Sequence, residues 1–214
     1  MEDKKILQII EYAVLIEIGL AISSLGTALF YSADLGSSAM ATFCDGLHLL
    51  INTSYGTANT LANIVLLVVL FVLDKKYIGI GTILCVFTIG PWVNLFMAIL
   101  EPINLSTLNI VIRILLTVCG ASLMGVGLGI YMAVNKGFGA LEGIVKFICQ
   151  KYKIEVKTAK VVQDLILVVC GIILGAQWGI GTIVGIMLCG PVLQKSNLYF
   201  SNIFKFNSLD KKTC

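Results

Sequence analysis

The sequence predicts an all-α, polytopic membrane protein: six transmembrane helices arranged as two inverted three-helix repeats, with interfacial or re-entrant helices between them. Three observations carry that expectation: an apolar composition, a one-sided distribution of lysine, and a duplicated set of short motifs.

Hydrophobic residues make up 58% of the 214, charged residues 13%, and the mean hydropathy is +0.97. A chain of this length in water needs a polar shell that so few charges cannot supply, so lipid has to solvate much of the surface. The apolar run after Met1 to Lys5 is too long for a signal-peptide core and no small-residue cleavage site follows it promptly, so the first helix is expected to stay in the protein. The seven cysteines are scattered through apolar runs without a Cys-x-x-Cys pair, and read as free thiols packing as small apolar groups. His48 stands near Cys44 and Asp45, but a polar interfacial residue is the simpler reading, and no metal site is expected.

Runs able to cross about 30 Å of hydrocarbon at about 1.5 Å per residue lie near 7–31, 57–73, 78–99, 107–134, 158–175 and 178–194. Segments 37–52 and 139–152 are amphipathic at helical spacing but interrupted by polar residues, which suits interfacial or re-entrant helices. With six crossings, every lysine from Lys4 to Lys212, including Lys146 and Lys160, falls in or beside segments on one side. Asp34, Asp45 and Glu101 fall on the other. The positive-inside rule then puts both termini in the cytoplasm and the chain in the cell (cytoplasmic) membrane.

The internal repeat is read from ordered matches. Gly79-Ile80-Gly81-Thr82 and Gly90-Pro91 recur as Gly179-Ile180-Gly181-Thr182 and Gly190-Pro191, at an offset of 100. Thr57-Ala58 with Asn63 matches Thr158-Ala159 with Asp164 at 101, and Leu25-Gly26 with Gly36 matches Leu128-Gly129 with Gly139 at 103. The repeats span 7–100 and 107–200 of a single membrane domain, 1–214, with 201–214 as a cytoplasmic tail. Three crossings per half is an odd number, so the second copy enters from the opposite side, an arrangement found in transporters with a site near mid-bilayer. Proline removes a helical hydrogen bond and clashes with the preceding turn. The helices are therefore expected to kink or break at Gly90-Pro91 and Gly190-Pro191, which would face each other across the pseudo-two-fold axis.

Ionisable residues inside a bilayer cost about 2.5–3.5 kcal/mol each on insertion scales and are functional candidates by default. Glu17 comes about 16 Å into the first span. Arg113 lies about two turns into the fourth span and Asp164 about two turns into the fifth, with Asn63 as the counterpart of Asp164 on the second. Two readings stand side by side: these groups bind a substrate or proton, or they form buried ion pairs such as Glu17 with Arg113 that fix helix register. Asp34 reads as a turn former before Gly36. Glu142 borders the second amphipathic segment and joins the candidate substrate-binding set of Glu17, Asn63, Gly90, Pro91, Arg113, Asp164, Gly190 and Pro191.

Ala33-Asp34-Leu35-Gly36-Ser37-Ser38, the first-helix glycines Gly19 and Gly26, the Gly-Ile-Gly-Thr segments ending in Gly-Pro, and Gly137-Phe138-Gly139 with Glu142 together resemble the YczE/YitT type of bacterial membrane proteins. The resemblance covers about residues 15–195. It implies a cytoplasmic-membrane protein with duplicated halves and names no substrate. The chain departs from that pattern at Ala39, Met40 and Ala41, where the resemblance calls for a proline, an aromatic and an acid.

No phosphate-binding loop, His-Glu-x-x-His or Gly-x-Ser-x-Gly is present. Neither enzymatic activity nor a catalytic residue, a cofactor or a nucleic-acid partner is expected. The leading reading is a secondary transporter or permease for a small solute, with the lipid bilayer and that solute as partners and room for a homo-oligomer. Two alternatives stay open: a substrate-binding membrane subunit of a multi-component uptake system, and a non-transporting accessory protein that recruits a cytoplasmic enzyme through the loop from Asn135 to Lys157.

Overall fold

The computed structural model describes residues 2–53, 55–176 and 178–204, with side chains from residue 7 onward apart from 54–57, 60 and 177. Residues 205–214 of the expected tail lie outside the described residues. The described residues form α1 (Glu2–Ser32), α2 (Ala39–Ile51), α3 (Tyr55–Leu73), α4 (Ile80–Leu100), α5 (Ile110–Val134), α6 (Ala140–Tyr152), α7 (Val156–Ile173) and α8 (Ile180–Phe204), and no strand.

Positive-φ residues end the helices at matching places in the two halves. Asp34 (φ +50°) follows α1 as Asn135 (φ +55°) follows α5, and Asn52 (φ +50°) follows α2 as Lys153 (φ +55°) follows α6. Asp34 is thus the turn former its position before Gly36 suggests. Gly36 (φ +134°) and Gly137 (φ +110°) then take backbone conformations that side chains disfavour. These equivalences correct the register of one match: Gly36 corresponds to Gly137, not Gly139, and Gly26 to Gly127, not Gly129. The sequence offers glycine at 127 and 129 alike, so identity matching slips by two residues where packing does not.

Packing decides it at the crossing of α1 and α5. A Cβ on Gly127 would lie 2.3 Å from the Ser23 amide nitrogen and 2.5 Å from the Gly19 oxygen. One on Gly120 would lie 2.7 Å from the Gly26 oxygen. Gly19 with Gly127 and Gly26 with Gly120 are the same contact seen from the two halves, and each brings backbone onto backbone. α4 packs along α1 and α8 along α5, while α2 lies against α7 and α6 against α3.

The two Gly-Ile-Gly-Thr segments are exchanged between the halves. The Gly81 amide donates to the Lys136 carbonyl at 3.0 Å, and the Gly181 amide to Leu35 at 2.8 Å. The Thr82 hydroxyl donates to the Phe138 carbonyl at 2.7 Å, and the Thr182 hydroxyl to Ser37 at 2.9 Å. Each threonine oxygen also accepts from the amide of its own Gly79 or Gly179, at 3.1 and 3.4 Å, satisfying helix-start donors that would otherwise lack partners.

By length and composition, Leu7–Ser32, Ile80–Ile103 and Ile110–Val134 can cross a membrane, and Ala39–Ile51 and Leu61–Leu73 are shorter apolar helices. Outward-facing Ile64, Val68, Phe71, Val86, Phe87 and Ile112 give this helical assembly the apolar exterior of a membrane protein. α7 is less apolar because Lys157, Lys160 and Asp164 fall within its 18 residues.

Of the expected kink or break, the break is excluded: α4 continues through Pro91 and α8 through Pro191. Nor do the two Gly-Pro pairs share an environment. Gly90 and Pro91 are exposed, with open space around Gly90, whereas Gly190 is buried against the Lys157 backbone and Val161. The difference follows from packing, since α8 lies along α7 while α4 has no comparable contact with α3.

Candidate functional site

A polar part of the interior is built at the start of α6, where Gly139 precedes the helix and Glu142 sits in its first turn. A Cβ on Gly139 would fall 2.5 Å from Glu142 Oε2 and 3.1 Å from Cys85 Sγ. Glycine therefore leaves the space in which the α6 carboxylate and the α4 thiol converge. Beside Cys85, the Tyr131 hydroxyl of α5 donates to the Gly81 carbonyl at 3.1 Å.

α7 supplies the opposing charges. Lys160 and Asp164 are buried and lie one turn apart, with Lys160 Nζ 2.6 Å from Asp164 Oδ1. Glu142 interacts electrostatically with both, and Cys189 of α8 with Lys160. Lys160 is thus ion-paired with Asp164 and lies within the electrostatic reach of Glu142, an arrangement that suits recognition of a charged group or a proton. Gln163, also buried, donates from Nε2 to the Leu141 carbonyl at 3.0 Å, while its Oε1 has no hydrogen-bond partner.

Glu17 approaches the same region from α1. Its Oε2 accepts from Trp92 Nε1 of α4 at 2.9 Å, and its Oε1 is buried without a partner. Cys85 is within electrostatic reach of both Glu17 and Glu142.

The other expected site residues are elsewhere. Arg113 does not pair with Glu17: its Nε donates to the Ala33 carbonyl at 2.8 Å, its Nη2 donates to the Asp34 carbonyl, and it faces the Asp34 carboxylate at 3.6 Å. It ties the end of α1 to the start of α5, because the last carbonyls of a helix lack intrahelical partners and attract a cation. Asn63 is exposed on α3 and donates to the Asn59 carbonyl at 2.9 Å. Gly90 and Pro91 face outward, and Gly190 and Pro191 belong to the packing of α8 on α7.

Lys160, Gln163, Cys85, Tyr131 and Cys189 are the site residues that sequence reasoning passed over. Lys160 was grouped with the loop lysines, yet it is buried, as is Lys146. Its four-residue spacing from Asp164 was the available signal. The repeat offers a second one. Ala41, Asn59 and Asn63 stand 101 residues before Glu142, Lys160 and Asp164, so the first half carries a neutral copy of the charged triad. Cys44 Sγ donates to Asn59 Oδ1 at 3.5 Å in that copy.

The family of unknown function DUF6198 matches residues 9–197, which include every residue of the cluster. An uncharacterized protein of Haemophilus influenzae is 25% identical over 184 residues, covering 86% of this chain and 80% of that one. No solved structure matches the chain. With nearly the whole helical body covered by the family match, the chain belongs to DUF6198.

Proposed function

We propose that this protein is a secondary transporter or permease for a small solute, and that the Glu142, Lys160 and Asp164 cluster is where the solute or its coupling proton binds. One observation carries the reading: three ionisable side chains are gathered inside an apolar helical assembly, where their cost is tolerated chiefly for function. In this reading α1, α3, α4, α5, α7 and α8 cross the cytoplasmic membrane as two inverted repeats, α2 and α6 are the re-entrant or interfacial pair, and both termini are cytoplasmic. The exchanged Gly-Ile-Gly-Thr contacts support the two-fold relation. The resemblance to YczE/YitT proteins belongs with the same reading.

The unequal halves supply a mechanism. α8 closes on α7 beside the cluster, while α4 stands clear of α3. Exchanging those two arrangements between related halves would open the cluster to alternate sides of the bilayer. Side-chain chemistry is not required of the chain, which acts as a carrier and not as an enzyme.

The test is counterflow by the purified protein in liposomes, with and without a pH gradient, over a panel of amino acids, nucleobases, organic anions and organic cations. Saturable flux that Asp164→Asn abolishes is the expected result. A folded protein that moves none of them would point instead to a subunit that needs an energising partner.

A further inference from the structure

The outer face of α3 joins an apolar stripe to a cationic end. Ile64, Val68 and Phe71 recur at i, i+4 and i+7, so they share one face of the helix, and each is at least half exposed. Lys75 follows α3 in the Lys75–Tyr77 turn, with its Nζ 4.4 Å from the centroid of the Phe71 ring. From Ile64 to Lys75 the chain rises about 16 Å, close to half of the roughly 30 Å of hydrocarbon. The stripe thus matches one leaflet in length and ends in an ammonium.

A second lysine is held to the same end by packing. Leu70 is buried against Gly143 of α6, while the Tyr77 hydroxyl donates to Gln150 Oε1 at 2.7 Å and the Tyr77 ring meets that of Phe147 edge-on at 6.3 Å. These contacts bring the end of α6 to the end of α3. There Lys151 Nζ lies 5.3 Å from the Phe147 ring and 5.7 Å from that of the exposed Tyr152. An ammonium resting on a ring face keeps donors for a further partner. Asp74 engages Lys76 and Glu155 engages Lys157, and among the described residues neither Lys75 nor Lys151 is in an ion pair. Both are exposed. The charges are no requirement of the repeat, since Gly175 and Ala176 stand 100 residues after Lys75 and Lys76.

Exposed cations beside an apolar stripe call for a ligand that carries both an anion and a hydrocarbon chain. A soluble anion would leave the stripe uncovered, and a lipid without net charge would leave the lysines unmatched. We infer that α3 seats an anionic phospholipid, with its headgroup phosphate on Lys75 and Lys151 and an acyl chain along Ile64, Val68 and Phe71. This site depends neither on the orientation of the chain in the membrane nor on transport through the Glu142, Lys160 and Asp164 cluster.

The experiment is native mass spectrometry of the purified full chain in detergent holding equal amounts of phosphatidylglycerol and phosphatidylcholine. One retained phosphatidylglycerol per chain is expected, favoured at least about threefold over phosphatidylcholine. The double variant Lys75→Gln, Lys151→Gln should bring that ratio to about one. Val68→Gln, which breaks the stripe without touching its charge, should weaken retention at least about threefold, and melting temperature establishes that each variant is folded. The pair Lys153→Gln, Lys157→Gln removes the same charge and should leave the ratio unchanged. Equal retention of both lipids by the parent, a parental ratio in folded Lys75→Gln, Lys151→Gln, or an equal loss in the second lysine pair overturns the inference. So does displacement of the lipid by inorganic phosphate at constant ionic strength, which would assign the lysines to a free anion.

Discussion

Lys160 and Asp164 stand one helical turn apart on α7 with their charged atoms 2.6 Å from each other, both buried and both within the field of Glu142. Lys160 is the cation paired with Asp164 and acting on Glu142 at longer range. Lys160→Met should therefore be costly, about 3–5 kcal/mol, because it strands buried negative charge. Asp164→Asn should cost less, since Glu142 remains within electrostatic reach of Lys160. Thermal unfolding in detergent compares the two, and equal losses would show that Glu142 gives the lysine no support.

The neutral copy in the first half makes a stronger test of the same cluster. The triple variant Glu142→Ala, Lys160→Asn, Asp164→Asn installs the residues found at Ala41, Asn59 and Asn63. Because it removes both signs of charge together, it should melt closer to the parent than Lys160→Met alone, while abolishing any flux measured in liposomes. Flux retained in a folded triple variant would take the cluster out of the transport pathway.

Thr82 and Thr182 each join a helix start to a carbonyl of the other half. Thr→Val at either position keeps the shape and removes the hydroxyl, so each should lower stability by about 1 kcal/mol. The two sites share no partner, and the double variant should be additive to within about 0.5 kcal/mol. Denaturant titration of the two single variants and the double variant reads all three values.

Glycines at equivalent levels of sequence interest should differ sharply in tolerance. Gly127→Ala places a methyl 2.3 Å from the Ser23 amide nitrogen, forcing α1 and α5 apart, and should destabilise by about 1–3 kcal/mol. Gly90 has open space around it, so Gly90→Ala should instead gain about 0.5–1 kcal/mol from reduced backbone freedom in the unfolded chain. Melting curves of the two variants should move in opposite directions.

Topology is checked by cysteine labelling in intact cells, on a background with the native cysteines replaced. In the proposed topology, where the positive-inside rule puts the exposed lysines Lys75, Lys76, Lys151, Lys153 and Lys157 on the cytoplasmic side, a cysteine at Glu101 should react with an impermeant reagent from outside and one at Lys75 only after permeabilisation. Labelling of both from outside would break the inverted arrangement.

Much of the architecture was legible because it is written in local chemistry. Apolar runs, lysine-bearing turns and the two amphipathic segments locate most helix ends to within a few residues, and α2 and α6 fall inside 37–52 and 139–152, but α8 continues to Phe204, well past the expected end at 194. The matching of segments was legible wherever the motif is specific, as in Gly-Ile-Gly-Thr, whose two copies make equivalent contacts. It slipped where the motif is a lone glycine in a glycine-rich helix. Asp164 and Glu142 stand out as charges in an apolar context, whereas Lys160, near a helix start, looks like a loop lysine unless its four-residue spacing from Asp164 is weighed.

The sequence by itself determined the helical class and the apolar character that suits a membrane, and it pointed to two related halves, because these readings follow from composition and from periodicities along one strand of chain. Only the tertiary structure decided who meets whom. Arg113 goes to the carbonyls at the end of α1 and not to Glu17, Glu17 goes to Trp92, and Lys160 pairs with Asp164 within electrostatic reach of Glu142. The same holds for the Gly-Pro pairs, one open to the surroundings and one packed. The physical reason is that a charge or a glycine has many admissible partners at helical spacing, and the choice among them is made by which backbones approach closely enough to exclude the rest.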